Sequence, residues 1–310
     1  KALVSATPIE LNDPRFKEQN FKMIEIQPTF DYKKELWLHH TNNTLQALKT
    51  VLSKLDNEEA APLPICVFIN STDIIYSLMK QLDLLEDSAV FCAPKSVDKL
   101  KKNRFCNVYE EWNKDKMKRY NFFTSRFFNA VDMELEEQPH VIMLTDVYFA
   151  EHTMIDPYTD AIQIVGRFRN GVSSITYISN TKKGLPQRSK EEIKGYLICS
   201  KEIYRTMKNF YDCATDRASR DAYRAALESL PFNRMLDRNG RENWFAIDNY
   251  MDEELMKNYF YDENSLYKAY DNCDSFIVYH AGYYCPLGDS ERLKRENKSQ
   301  SIKDKRKEIV

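Results

Sequence analysis

The chain has 310 residues, a length that points to about two domains. Apolar residues make up 43% and charged residues 30%, enough for real cores, and a net charge of −2 means that any nucleic-acid surface must be local. Seven scattered cysteines with no Cys-x-x-Cys pair argue for reduced thiols in a cytosolic compartment rather than disulfides or zinc, and seven glycines form no Gly-x-x-x-x-Gly-Lys-Ser/Thr phosphate loop.

Lys1 to Pro8 begins abruptly, as though cut from something longer, and reads as an apolar strand ending in hydroxyl residues. Met23 to Ile26 alternate apolar and polar, which predicts a second short strand before Pro28. His39-His40 reads as a polar surface pair. Thr41 to Leu55 places Leu45, Leu48, Leu52 and Leu55 on one helical face, with Asn42 or Asn43 as cap. Ile65 to Ile69 is a continuous apolar run ending in Asn70-Ser71, the pattern of a strand buried on both faces. A helix follows through Leu82, capped by Thr72 or Asp73. Further strands are expected at Ser88 to Ala93, Asn121 to Phe123 and Val141 to Thr145, with a basic helix from Lys95 to Lys102. Thr159 to Phe168 reads as a short helix and Ser174 to Ile178 as a closing strand.

This alternation predicts an α/β fold with a doubly wound, mostly parallel sheet. Ligands of such sheets bind at the carboxyl ends of the strands. Ser71, Thr124-Ser125 and the loop before Gln163 all lie at such ends. From about Ser189 the composition turns helical through Leu230, and again from Asp252 to Asp271, with a short strand from Ser275 to His280. Asp237-Arg238-Asn239-Gly240-Arg241 predicts a hairpin near 232–248. A two-residue turn would oppose like charges, whereas a three-residue loop sets Asp237 against Arg241 with Gly240 left-handed. That loop would bring Arg234 near Trp244 across the strands and leave Arg238 at the tip. Glu291 to Lys307 reads as a charge-dense helix or tail. No stretch approaches the apolar length of a membrane span.

Gln163-Ile164-Val165-Gly166-Arg167-Phe168-Arg169 carries the strongest chemical signal. Two guanidinium forks one residue apart suit a polyphosphate and the charge that develops on a transferred phosphoryl group. A solvated surface helix is the plainer alternative.

Taken with its neighbours, this stretch resembles motif VI of superfamily 2 helicases. Ser5-Ala6-Thr7 resembles motif III, and Ile65 to Ser71 motif IV. Thr124-Ser125 followed by Ala130-Val131-Asp132 resembles motif V, with Ala130 in place of the usual glycine. Asn170 stands where many families carry a second arginine. The resemblance implies the end of a first RecA-like lobe and linker at 1–20, a second RecA-like lobe at 21–188, and a mainly helical accessory region with the hairpin at 189–310.

The resemblance, and nothing else in the sequence, also implies roles for individual residues. Arg167 and Arg169 would contact the triphosphate of ATP, one of them as arginine finger. Gln163 would arrange the attacking water or couple the sites. Asp132, Gly166, Ser5 and Thr7 would bind or couple the nucleotide. Ser71, Thr124 and Ser125 would hold nucleic-acid phosphates, and Arg238 would touch the strand. ATP and Mg²⁺ would be bound mainly by a first lobe upstream of Lys1, so this chain alone is expected to be inactive. The expected partner is nucleic acid, with DNA favoured over RNA, and the expected location is the cytoplasm, nucleoid-associated in a bacterium. The rival readings are a non-catalytic RecA-like scaffold or clamp and, less well matched, a sugar-nucleotide enzyme.

Overall fold

The computed structural model describes residues 5, 7, 12–26, 28–58, 62–129 and 131–291. Among them, eight strands form a single sheet: β1 (Lys34–Thr41), β2 (Ile65–Phe68), β3 (Ser88–Phe91), β4 (Val108–Tyr109), β5 (Tyr120–Phe123), β6 (His140–Thr145), β7 (Ser174–Ser179) and β8 (Phe276–Tyr283). Their spatial order is β4-β3-β5-β2-β6-β7-β1-β8, and every neighbouring pair is parallel. β2, β5 and β6 are buried along their whole length, as central parallel strands must be. The expected α/β doubly wound sheet is therefore what this chain forms.

The helices are α1 (Pro14–Glu18), α2 (Thr44–Glu58), α3 (Thr72–Gln81), α4 (Pro94–Lys102), α5 (Asp160–Gly166), α6 (Lys190–Cys213), α7 (Arg217–Ser229), α8 (Trp244–Met256) and α9 (Glu263–Asp271). Alternation along each strand sends successive side chains to opposite faces. Leu48 and Leu52 of α2, Ile75 and Met79 of α3, and Val97 and Leu100 of α4 pack with Ile65, Val67, Val90, Phe122, Ile142 and Leu144 in one core. On the other face Phe91, Phe123 and Phe68 stack in a row, with ring centroids 4.9 and 5.0 Å apart. Tyr270 of α9 covers Tyr177 of β7 on a 4.7 Å contact and donates its hydroxyl to the Ile155 carbonyl.

The chain divides into two units, and the boundaries differ from those expected. Residues 28–184 and 259–291 belong to the sheet unit together with Ser5 and Thr7, while 12–26 and 185–258 form the helical unit. A helical region running to 310 is thus corrected at its far end: α9 and β8 return to the sheet, where β8 pairs with β1 from Lys34↔Phe276 to Thr41↔Tyr283. β1 itself is not expected from the sequence. Its buried Leu36 and Leu38 alternate with polar or half-exposed neighbours near the sheet edge, and its outer partner lies more than two hundred residues away. The strand expected at Met23 to Ile26 does not form; these side chains are exposed and no strand pairs with them.

His39-His40 is not a surface pair. Both lie in β1, and His40 is buried, contacting the hydroxyls of Tyr284 and Thr181 at 3.1 and 2.9 Å. Burial holds the pKa of each imidazole below its ordinary value. The strand expected over Lys1 to Val4 and the helix or tail over 292–307 lie outside the described residues, as does Ala130.

The helical unit has its own small core of Ile193, Leu197, Phe232, Met235 and Met251. α6 opens with a capping box in which Ser189 accepts from Glu192 N and Glu192 accepts from Ser189 N. The hairpin reduces to its turn. The three-residue loop is present, with Asp237 N donating to Arg241 O at 2.7 Å and Gly240 at φ +74°. A single antiparallel bridge, Leu236↔Glu242, flanks it. Arg234 lies in a 3-10 turn and Trp244 begins α8, so the cross-strand contact between them is not made. Asp237 explains this economy: its carboxylate also accepts from Asn239 N and Arg241 N, so the turn closes without a ladder.

Candidate functional site

Phe168 organises the arginine pair. It is buried, its ring meets Phe68 edge-on at 6.1 Å, and its backbone forms a parallel bridge with the buried Met133. Met133 N donates to Arg167 O at 2.8 Å and Arg169 N to Met133 O at 3.3 Å. With Phe168 pointing inward, the arginines on either side reach outward to Asp132, the residue before Met133. Arg169 Nη2 donates to Asp132 Oδ1 at 2.8 Å, and Arg167 Nη1 donates to the same oxygen at 3.3 Å. The Asp132 carboxylate is about half exposed, so these pairs contribute at most about 1 kcal/mol and a ligand can displace them.

Arg167 is the more constrained of the two. Its side chain is only 14% exposed, and it also donates from Nε to the Gln163 carbonyl and from Nη2 to Gln163 Oε1, both at 3.0 Å. Gln163 Nε2 in turn donates to Thr7 Oγ1 at 3.1 Å, and Thr7 Oγ1 lies 3.3 Å from Ser5 Oγ. A continuous chain of hydrogen bonds therefore joins Ser5, Thr7, Gln163, Arg167, Asp132 and Arg169. Gly166 ends α5 with open space where a Cβ would stand, so a ligand could approach the backbone there. Asn170 is committed to the loop: it donates to Leu135 O at 2.7 Å. Gly171 follows at φ +89°, with Gln138 packed where a Cβ would be, so only glycine makes this turn without strain.

A second cluster forms where β2, β3, β5 and β6 end. Ser71, Thr124 and Ser125 line one cleft of about 400 Å³ together with Asn70, Ser96, Arg126 and His152. Ser125 is exposed, Ser71 half-buried and Thr124 buried. Ser71 caps α3 by accepting from Ile74 N. Asn70 ties the loops together, accepting from Ser125 N and donating to His152 O. The three hydroxyls thus share one cleft, whereas the loop before Gln163 does not line it. Arg126 and Asn70 are not among the expected site residues, although Arg126 directly follows Thr124-Ser125. Asp132 also lines a larger open cavity of about 850 Å³ beside Tyr109, Trp112, Lys101, Lys114 and Lys116. Arg238 is exposed on the turn of the helical unit, whereas every other candidate residue belongs to the sheet unit.

Two acidic groups at the start of the arginine helix make stability depend on pH. Burial, reinforced by the neighbouring Asp156 charge, raises the Asp160 carboxyl to about 6, and burial raises Asp156 as well. A raised carboxyl stabilises the fold fully below its unfolded pKa near 4, and this contribution is lost as pH climbs through about 6. Asp160→Asn should therefore be more stable than the parent at pH 8, by about 2 kcal/mol after allowing for residual solvent contact. Urea midpoints measured from pH 4 to 8 check this: the two proteins should converge toward pH 4, and a constant gap would refute it.

Another polar group escapes any sequence motif. Asn180, fully buried after β7, donates to Asp146 Oδ1 at 2.8 Å and Asp289 Oδ2 at 3.0 Å, and accepts from Val147 N at 2.8 Å. Thr44 joins them, donating from its N–H to Asp289 and from its hydroxyl to Asp146. Four segments distant in sequence are locked at the carboxyl end of the sheet.

Among the described residues no three His, Cys, Asp or Glu side chains gather as a metal site, and no helix is long and apolar enough to cross a membrane. No protein-family model, no curated protein and no solved structure matches the chain.

Proposed function

We propose that the sheet unit is the second RecA-like lobe of an ATP-driven superfamily 2 nucleic-acid motor, carried in a longer protein. The observation that carries this reading is the hydrogen-bonded chain Thr7–Gln163–Arg167–Asp132–Arg169, set on the same parallel sheet as a hydroxyl-lined cleft.

ATP binds against a first lobe that supplies the phosphate loop and the Mg²⁺ ligands. The donor set here fits the phosphate part of that ligand: two guanidinium groups, held by a solvent-exposed carboxylate they can leave, but among the described residues no ligand set for the metal. Arg167 and Arg169 exchange Asp132 for the triphosphate and offset the charge that builds on the γ-phosphoryl group as water attacks. Gln163 and Thr7 relay this change between lobes, because Gln163 bonds both the finger and the segment that begins the described chain. Ser71, Ser125 and Arg126 grip strand phosphates, which position a nucleic acid without reading its sequence.

One observation favours a second reading, a non-catalytic RecA-like clamp. The Arg167 guanidinium is already engaged by Gln163 and Asp132, as a purely structural arginine would be.

The strand-binding half of the proposal is tested by fluorescence anisotropy of a labelled single-stranded oligonucleotide against the chain. Affinity should fall steeply with salt, tolerate changes of base sequence, and drop several-fold in Arg126→Glu and Ser125→Ala. Salt-independent binding, or binding indifferent to both changes, would remove the cleft from the reading.

A further inference from the structure

α6 carries a second apolar stripe beside the one that its own unit buries. Ile193, Leu197 and Ser200 form the buried stripe, facing Phe232, Met235 and Met251. Tyr196, Cys199, Ile203, Thr206, Phe210 and Cys213 follow at alternating spacings of three and four, the repeat of a helix-pairing seam. All six are exposed: Tyr196 at 40%, Ile203 at 49% and Phe210 at 49%, with Cys199, Thr206 and Cys213 in the same class. Phe210 stacks on Tyr223 of α7 and the Arg188 guanidinium lies 5.3 Å from the Tyr196 ring centroid, so each ring has one neighbour within the unit and still stays exposed. The Thr206 hydroxyl donates to the Glu202 carbonyl at 3.0 Å within the helix, which leaves its methyl group for the seam.

The order of sizes along this seam identifies what covers it. Each turn alternates a large residue (Tyr196, Ile203, Phe210) with a small one (Cys199, Thr206, Cys213). A parallel second copy would set large against large and small against small, so its layers would be alternately overfilled and empty. An antiparallel second copy, with its two-fold axis between Ile203 and Thr206, sets Tyr196 on Cys213, Ile203 on Thr206 and Phe210 on Cys199. Each pairing occurs twice, and every layer then has similar volume. The seam is its own complement in that one orientation, which an unrelated partner helix would have to match by separate sequence. We propose that α6 forms a two-fold antiparallel helix pair with α6 of a second copy of this chain.

The helical contact is short for a stable interface, so association in the micromolar range is expected. Sedimentation equilibrium of the 310-residue chain, from about 1 to 200 µM, should show the mass rising from 36.6 kDa toward twice that value. Ile203→Glu, at an exposed helical position, should keep its far-UV circular dichroism and stay monomeric throughout. Orientation is read by combining Ile203→Cys with Thr206→Cys. Mild oxidation should give a covalent dimer on a non-reducing gel, with position 203 of one copy joined to 206 of the other. A parent chain that stays monomeric at the highest concentration overturns the proposal, as does a dimer that survives Ile203→Glu. Cross-links joining 203 to 203, or Cys199 to Cys199, would overturn the antiparallel arrangement.

Discussion

Alanine at Arg167 in the intact protein is expected to lower nucleic-acid-stimulated ATP turnover by about a thousandfold, the range for an arginine finger. Arg167 is the stronger candidate because it is largely buried, is aimed by two bonds to Gln163, and sits beside the inward-facing anchor Phe168. Among the described residues the Arg169 guanidinium bonds Asp132 alone, and it is about half exposed, so Arg169→Ala should cost less and act more on KM than on kcat. Steady-state kinetics of both variants check this ordering. Rates within a few-fold of the parent for both would favour the clamp, in which Arg167 merely closes a loop.

The largest stability effect is expected at Asn180, away from the arginines. Asn180→Ala removes a donor shared by two buried carboxylates and the acceptor for Val147 N. Breaking such a network should cost about 3–5 kcal/mol, because Asp146 and Asp289 would keep their burial but lose their shared bridge. Asn180→Asp should be at least as damaging, since it removes the amide that donates to both carboxyl groups and puts a third carboxyl in its place. Urea unfolding followed by tryptophan fluorescence measures this, with Trp37 in β1 reporting on the sheet unit. A midpoint unchanged in both variants would mean that the lock holds nothing.

What the sequence makes legible divides along physical lines. β2 and β6 are legible because strands buried on both faces are almost continuously apolar; α3 begins close to where expected, but its cap is Ser71 rather than Thr72 or Asp73. The hydroxyls of Ser71, Thr124 and Ser125 meet because a parallel sheet sends every strand's carboxyl end to one edge. β1 and the full length of β8 escape notice because each is half exposed and finds its partner at the far end of the chain. The hairpin turn is legible from Asp237 and Gly240, but its flanks are not, since 3-10 and α-helical starts at Pro231 and Asn243 win over their β-prone residues. Phe168 gives no signal as an anchor: its role rests on Met133 and Phe68, which no local pattern connects to it. The Asp146–Asn180–Asp289 lock likewise assembles from three segments that share no motif.

The measurement closest to the central claim is ATP turnover by the intact protein while single-stranded nucleic acid is titrated in. Turnover should rise to a plateau, fall again as salt weakens the phosphate contacts, and lose that stimulation in Arg126→Glu. ATP turnover that is absent, or that proceeds at one rate with and without DNA or RNA, would contradict the account.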